Sequence, residues 1–309
     1  MAKKVFIDGK AGTTGLRIYE RLERFEGIEL ISLSEEKRKD RESRKEALNS
    51  ADIAFLCLPD DAARESVSLI ENENTVVIDT STAHRTLDDW AYGFPELSSA
   101  HREKIQNSKR IAVPGCHASG FISLIYPLIE AGALDGTENL SCFSLTGYSG
   151  GGKKMIADYE EEPDELLGAP RQYGLTQSHK HLKEMVKISG IENAPVFCPV
   201  VGDFYSGMEV TVPIFKSDLK NGFDIEKIKE IYKNKYNGPL VTYSDENEEG
   251  FISAGILSGK DSMMVSVYGN EDRIILVARY DNLGKGASGA AVECLNIVLG
   301  NDDTKGLEI

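Results

Sequence analysis

Short apolar runs separated by amphipathic segments fill the first third of the chain, and that alternation limits its fold more than any other feature. KVFID, IELISL, DIAFLCLP, TVVIDT and RIAVP read as buried strands, whereas TTGLRIYERLERF, KRKDRESRKEAL and DDAARESVSLIEN carry helical spacing. Strands of this kind need both faces covered, and helices between them make crossover connections. The expected arrangement is α/β, a Rossmann-like doubly wound parallel sheet. After residue 116 the rhythm changes. A helix FISLIYPLIEAGAL precedes a strand LSCFSLTGYS, a glycine-rich GGGKKMI and a loop YEEEPDELLGAPRQYG with room for short helices. A helix HLKEMVKI, strands VFCPVV and MEVTVPIF, a helix DIEKIKEIYKNKY and two strands joined at Gly269-Asn270 follow. Strands joined by tight turns predict a second, largely antiparallel sheet covered on one side.

The first strand-to-helix junction, FIDGKAGTTGLRI, has Gly9, Gly12 and Gly15 spaced three apart. Small residues there let backbone approach a pyrophosphate, and the N–H groups of Thr13, Thr14 and Gly15 open a helix toward its charge. The spacing departs from the common G-x-G-x-x-G, and a tight turn alone would also use such glycines. At the end of the second strand, Ser34 is followed by Lys37, Arg38 and Lys39, which suits a 2′-phosphate and so favours NADP(H). The alternatives are a ribose held by Glu35 or Glu36, or a solvated charged helix face from Glu35 to Arg44.

AVPGCHASG supplies the candidate nucleophile. Cys116 follows a strand and a Pro-Gly turn at the mouth of a helix, where unpaired N–H groups and the macrodipole favour a thiolate and can hold an oxyanion. Cys57, Cys142, Cys198 and Cys294 read as small buried hydrophobes in element interiors. A nucleophile needs a base, and TQSHKHLKEM offers His179 and His181, whose rings an extended H-x-H would point to one side. Zinc is a competing use of H-x-H, but the spacing suggests no third ligand and no metal is expected. His117, beside the sulfur in sequence, is read as a surface or packing residue. TGYSGGGKKM (Ser149, Gly150, Lys153) and DTSTAHR (Ser81, Thr82, Arg85) combine hydroxyls and a basic group, a set that suits phosphate or carboxylate. A flexible loop and a strand end with a surface Arg are the plain readings.

Composition limits the partners. With 50 acidic against 35 basic residues the formal net charge is -15, which would repel a phosphate backbone, so nucleic acid is not expected. Five Cys, odd in number and widely spaced, indicate neither a disulfide framework nor a zinc ribbon, and a reducing cytoplasm fits. The N-terminus enters a strand directly and the longest apolar stretch, FISLIYPLI, is too short for a bilayer, so secretion and a membrane partner are not expected.

Eight collinear motifs, FIDGKAGTTG, FLCLPDDAAR, DTSTAHR, YGFPEL, PGC, GYSGGGKKMI, HKHLKEM and DNLGKGASGAA, together resemble the short form of the N-acetyl-gamma-glutamyl-phosphate reductase family. The resemblance implies a Rossmann NADP-binding domain over 1–115, completed by a C-terminal helix over 283–309, and an α+β catalytic and dimerisation domain over 116–282. It implies Cys116 as nucleophile, His179 and His181 as the acid/base pair with His181 favoured, and Cys57, Leu58, Pro59 and Ser81 beside the cofactor. Asn282, Leu283, Gly284 and Lys285 would lie along the nicotinamide half, and Arg85, Ser149, Gly150 and Lys153 would meet substrate. A small-molecule acyl phosphate, inorganic phosphate and a homo-oligomer, dimer or tetramer, are the implied partners. Four positions depart from the family pattern: His117 and Ala118 replace an aromatic residue and Pro, Lys153 replaces Arg, and Lys183 replaces Pro. A reductase for another acyl phosphate, such as aspartyl phosphate, and a noncatalytic NADP-binding regulator are the rival readings.

Overall fold

A computed structural model describes residues 2–161 and 164–309, so Glu162 and Pro163 of the Glu-rich loop lie outside the described residues. The chain divides into two compact units, one of Met1–Gly115 with Ala287–Leu307 and one of Cys116–Gly286 with Glu308–Ile309. The first unit opens with β1 (Lys3–Asp8), α1 (Thr13–Leu22), β2 (Ile28–Ile31), α2 (Arg41–Ser50), β3 (Ile53–Leu56), α3 (Asp60–Leu69) and β4 (Val76–Asp79). It continues with β5 (Ala91–Tyr92), α4 (Ser99–Asn107) and β6 (Arg110–Ala112). These strands form one parallel sheet in the order β2-β1-β3-β4-β6-β5.

Alternation along the strands assigns the two faces of this sheet. Val5, Ile7, Ile53, Phe55, Val76 and Ile78 pack in one core, and Phe6, Ala54, Leu56 and Val77 in the other. Asp8, Leu56, Asp79 and Ala112 are in register across β1, β3, β4 and β6, so the turns that follow these strands leave from the same edge. In open α/β sheets that carboxyl edge is where ligands bind. α2 begins later than the charge-rich segment suggests, because Asp40 caps it by accepting the Ser43 N–H at 2.8 Å and Lys37 to Lys39 remain in a turn.

The second unit contains α5 (Cys116–Glu130), β7 (Ser141–Gly147), α6 (Gly152–Glu160), β8 (Arg171–Gln172), α7 (His181–Ser189), β9 (Val196–Gly202) and β10 (Met208–Phe215). α8 (Ile225–Lys235), β11 (Val241–Tyr243), β12 (Met263–Gly269) and β13 (Arg273–Tyr280) complete it. Its sheet runs β11-β12-β13-β10-β7-β9-β8, antiparallel except for the pairs β7 with β9 and β11 with β12. Ile274, Leu276, Ala278 and Tyr280 are buried on the face that α5 covers, whereas Phe143, Phe215 and Ile275 on the other face are exposed.

Three sequence expectations need correction. GGGKKMI is not an open loop: a 3-10 turn over Tyr148–Gly151 leads into α6, whose first residue is Gly152. The closing helix does not span 283–309. A π-helical turn covers Gly284–Ser288, α9 covers Gly289–Leu299, and Gly300 ends it in the left-handed region (φ 68°) before a series of turns. Of the four supposedly inert cysteines only Cys142 and Cys294 are buried; Cys57 lies just past the end of β3 and Cys198 faces the open side of the second sheet, both half-buried. Among the described residues no helix is long and apolar enough to cross a membrane.

Candidate active site

In the first unit the glycine-rich turn is set by close packing. Gly9 sits at φ 89°, and a Cβ there would come within 2.2 Å of the Cys57 carbonyl oxygen; one on Gly15 would come within 2.5 Å of the Gly9 carbonyl. The turn is therefore pressed against the end of β3, with Thr13, Thr14 and Gly15 as the first residues of α1 and Gly12 as its cap. Beside it lies a cavity of ≈ 690 Å³ to which Gly9, Arg38 and Leu58 contribute. Gly12 to Gly15, Ser34, Lys37, Cys57, Pro59 and Ser81 are not part of its lining. Pro59 instead caps α3, and buried Ser81 turns to Asp79, donating from its backbone at 2.9 Å and its hydroxyl at 2.7 Å. Burial pushes the Cys57 thiol up to about 12, so this sulfur stays protonated at neutral pH.

Sequence reasoning missed the polar centre of this cavity. Arg44 is nearly buried and donates through Nε (3.2 Å) and an Nη (3.1 Å) to Asp8 Oδ2, which also accepts from Ser66 at 2.8 Å. Burial opposes the charge on Arg44, but the hydrogen bonds and charges of Asp8 and Glu65 outweigh it and hold the guanidinium protonated. A signal existed: Arg44, Ala47 and Leu48 are the buried positions of α2, so a charged residue occupies the inward stripe of an otherwise solvated helix. Arg38 and Lys39 add cations to the wall, Arg38 in an ion pair with Glu35 at 3.1 Å.

In the second unit Cys116 is the first residue of α5 and half-buried. The backbone around it is fixed by Tyr280, whose hydroxyl donates to the Cys116 carbonyl at 2.5 Å and accepts the Gly120 N–H at 3.0 Å. His179 and His181 do come together, with ring centroids 4.7 Å apart and planes at 87°. They do so without an extended backbone: Lys180 is helical, His181 starts α7, and His179 Nδ1 accepts the His181 N–H at 3.2 Å.

His117 is neither a surface residue nor mere packing. Its ring lies 5.6 Å from both His179 and His181, with Nδ1 at 2.7 Å from Ser144 Oγ and Nε2 at 2.6 Å from Tyr173 Oη. Burial first, and the nearby His179 second, push the His117 imidazole down to about 3, so it is neutral at physiological pH. Tyr173, also missed from sequence, is held well above the usual phenol range by burial and by the charge of Cys116. Phenol, three imidazoles and thiol thus share one neighbourhood. Among the described residues no group of three or more His, Cys, Asp or Glu is arranged to hold a metal ion.

The other predicted substrate and cofactor residues separate into inward and outward groups. Ser149 is fully buried and accepts from Asn282 Nδ2 at 3.0 Å, while Asn282 Oδ1 accepts the Gly207 N–H at 3.0 Å. Leu283 and Lys285 are buried and Gly284 packs on the Lys260 carbonyl, whereas Gly150 and Lys153 are exposed. In the first unit Arg85 is buried, with Nε donating to the Val113 carbonyl and an Nη to the Thr80 carbonyl, both at 2.8 Å. It braces the turn that leads to Cys116.

The chain is similar to known proteins over nearly its whole length. Residues 4–108 match the family model for the semialdehyde dehydrogenase NAD binding domain, and residues 116–282 that for the semialdehyde dehydrogenase dimerisation domain. N-acetyl-gamma-glutamyl-phosphate reductase 2 of Nostoc sp. is 44% identical over 98% of this chain and 99% of its own length. The N-acetyl-gamma-glutamyl-phosphate reductase of Brucella ovis is 44% identical over 97% and 100%. The chain belongs to the N-acetyl-gamma-glutamyl-phosphate reductase family. Among solved structures, aspartate semialdehyde dehydrogenase II of Vibrio cholerae superposes with a TM-score of 0.73 at 18% identity, covering 97% of this chain and 99% of that one. The enzyme from Candida albicans gives 0.67 at 14%, covering 97% and 99%. At such identities these two likenesses show the shared fold. The reductase family's first domain takes a nicotinamide dinucleotide, and the glycine turn fits one: it packs too closely on Cys57 and Gly9 to admit side chains at Gly9 or Gly15, so backbone alone forms the turn at the head of α1.

Proposed function

We propose that this chain catalyses the NADPH-dependent reductive dephosphorylation of N-acetyl-L-glutamyl 5-phosphate to N-acetyl-L-glutamate 5-semialdehyde, a step of arginine biosynthesis. Identity of 44% over 98% of the chain carries the reading, joined to a cysteine at the opening of a helix in a cluster of imidazoles. Cys116 attacks the acyl carbon; the C–O bond to phosphate breaks, phosphate leaves with the electron pair, and a thioester forms on the sulfur. The first N–H groups of α5 stabilise the oxyanion. The nicotinamide dinucleotide supplies the hydride that reduces this thioester. Collapse of the resulting hemithioacetal on Cys116 returns the sulfur as thiolate and releases the aldehyde. His181 carries the proton needed at the oxygen or sulfur and His179 orients it. His117, kept neutral by burial, is a fixed partner to Tyr173 and not an acid.

Residues 1–115 with the C-terminal helix serve as the nucleotide domain and 116–282 as the catalytic domain. Gly9 and the N–H groups opening α1 would hold the pyrophosphate, and Arg38 with Lys39 would read a 2′-phosphate, which favours NADP over NAD. Replacing both cations with Ala should raise the KM for NADPH about tenfold and leave that for NADH within about twofold. The exposed sheet face carrying Phe143 (51%), Phe215 (59%) and Ile275 (42%) supports a homo-oligomer, dimer or tetramer. The function is tested in the oxidative direction, comparing N-acetylglutamate semialdehyde with aspartate semialdehyde, each with and without phosphate. Phosphate-dependent NADP reduction with the first alone is expected. Preference for aspartate semialdehyde would move the chain to the rival substrate.

A further inference from the structure

We propose that Asp281 is the positioning residue for Cys116, acting through the turn 281–286; the inference rests on Cys116 being the nucleophile. Asp281 directly follows β13 and is fully buried. One carboxylate oxygen accepts the N–H groups of Leu283 (2.7 Å) and Gly284 (3.0 Å), and the other accepts the Ser206 hydroxyl (2.7 Å) and the Gly259 N–H (2.6 Å). Those four donors match the acceptor capacity of an ionised carboxylate. Its own carbonyl takes the N–H groups of Gly284 (3.1 Å) and Gly286 (3.0 Å), which closes the turn.

The far end of this turn meets the nucleophile. A Cβ built on Gly286 would lie 3.1 Å from Cys116 Cβ, 3.1 Å from the Asp281 carbonyl and 3.4 Å from the Tyr280 ring. The residues on either side of Asp281 are anchored as well, Tyr280 to the Cys116 carbonyl and Asn282 to Gly207 and Ser149. The Asp281 carboxylate ties the turn to the segments at 206 and 259 together, and Asn282 adds a tie to Gly207. Without the carboxylate, Gly286 is no longer held against the sulfur-bearing side chain, and the attack geometry is lost while the nucleotide turn at Gly9 is untouched.

The test is the second-order rate constant for alkylation of Cys116 by iodoacetamide, followed by mass spectrometry of the Cys116 peptide, alongside kcat and the NADPH dissociation constant. Asp281→Asn puts an NH2 group toward donors. It should change the alkylation constant by about threefold or more and lower kcat by about tenfold or more, with the NADPH dissociation constant within about threefold. Measured well below the onset of unfolding, with the constant independent of added stabilising sucrose, alkylation reports the folded molecule and not its lowered stability. Should Asp281→Asn fail to fold, Ser206→Ala removes one donor of the four and should shift alkylation and kcat the same way by about twofold. A folded Asp281→Asn, or in its absence Ser206→Ala, with unchanged alkylation and kcat overturns the proposal. Cys116→Ser separates the two levels: retained turnover there removes the nucleophile itself, whatever Asp281 does.

Discussion

Replacing Gly120 by Ala probes the packing that holds the nucleophile's helix. A methyl at this position would sit 2.5 Å from Val210 Cγ2, 2.7 Å from Val210 Cβ and 2.7 Å from Tyr280 Oη. Apolar carbons rest about 3.5–4.0 Å apart, so α5 and β10 must separate by about 1 Å. Overpacking of this kind costs about 1–3 kcal/mol, against a gain of up to about 1 kcal/mol for Ala over Gly in a helix. The net expectation is a loss of about 1–2 kcal/mol. The functional loss should be larger than that figure suggests, because the displaced Tyr280 hydroxyl is the donor to the Cys116 carbonyl. Urea unfolding with a fixed m-value measures the first quantity and kcat the second. A variant with both unchanged would refute the packing of α5 on β10 as the source of Cys116 geometry.

Two further outcomes follow from the same residues. The folded His117 imidazole titrates at about 3 against an ordinary value of 6.5, so below pH 6.5 the unfolded chain takes up a proton that the folded chain refuses. Its contribution is fully present above pH 6.5 and is lost as pH falls toward 3, at up to about 1.4 kcal/mol per pH unit. His117→Gln should flatten the urea-midpoint profile between pH 4 and 6 by about that slope, and an unchanged profile would place the proton uptake elsewhere. Gly9→Ala forces a Cβ into the Cys57 carbonyl at a positive φ, so NADPH binding by fluorescence titration should weaken by about a hundredfold while the second unit still alkylates normally at Cys116.

The sequence made the two sheet classes readable because burial on both faces and burial on one face leave different patterns in a strand. Strand order was not readable: nothing local tells β1 to lie between β2 and β3. Cys116 at a helix mouth was legible from Pro-Gly and the apolar run after it. The role of His117 was not, since its partners Ser144 and Tyr173 lie 27 and 56 residues away. Arg44 was hidden in the same manner. Its local surroundings are those of a solvated helix, and its inward partners, Asp8 36 residues earlier and Glu65 21 residues later, are distant in sequence. The closing helix was read too long because glycine and turn residues at both ends permit more than one backbone, and the choice is made by packing against Lys260 and Phe25.

Acylation of one sulfur is the central claim, and mass spectrometry of enzyme quenched after mixing with N-acetyl-L-glutamyl 5-phosphate without reduced nicotinamide measures it directly. A single N-acetylglutamyl adduct on the peptide bearing Cys116, absent from Cys116→Ser, is the predicted result. Full turnover by Cys116→Ser, or an adduct on any other residue of the wild-type chain, would contradict it.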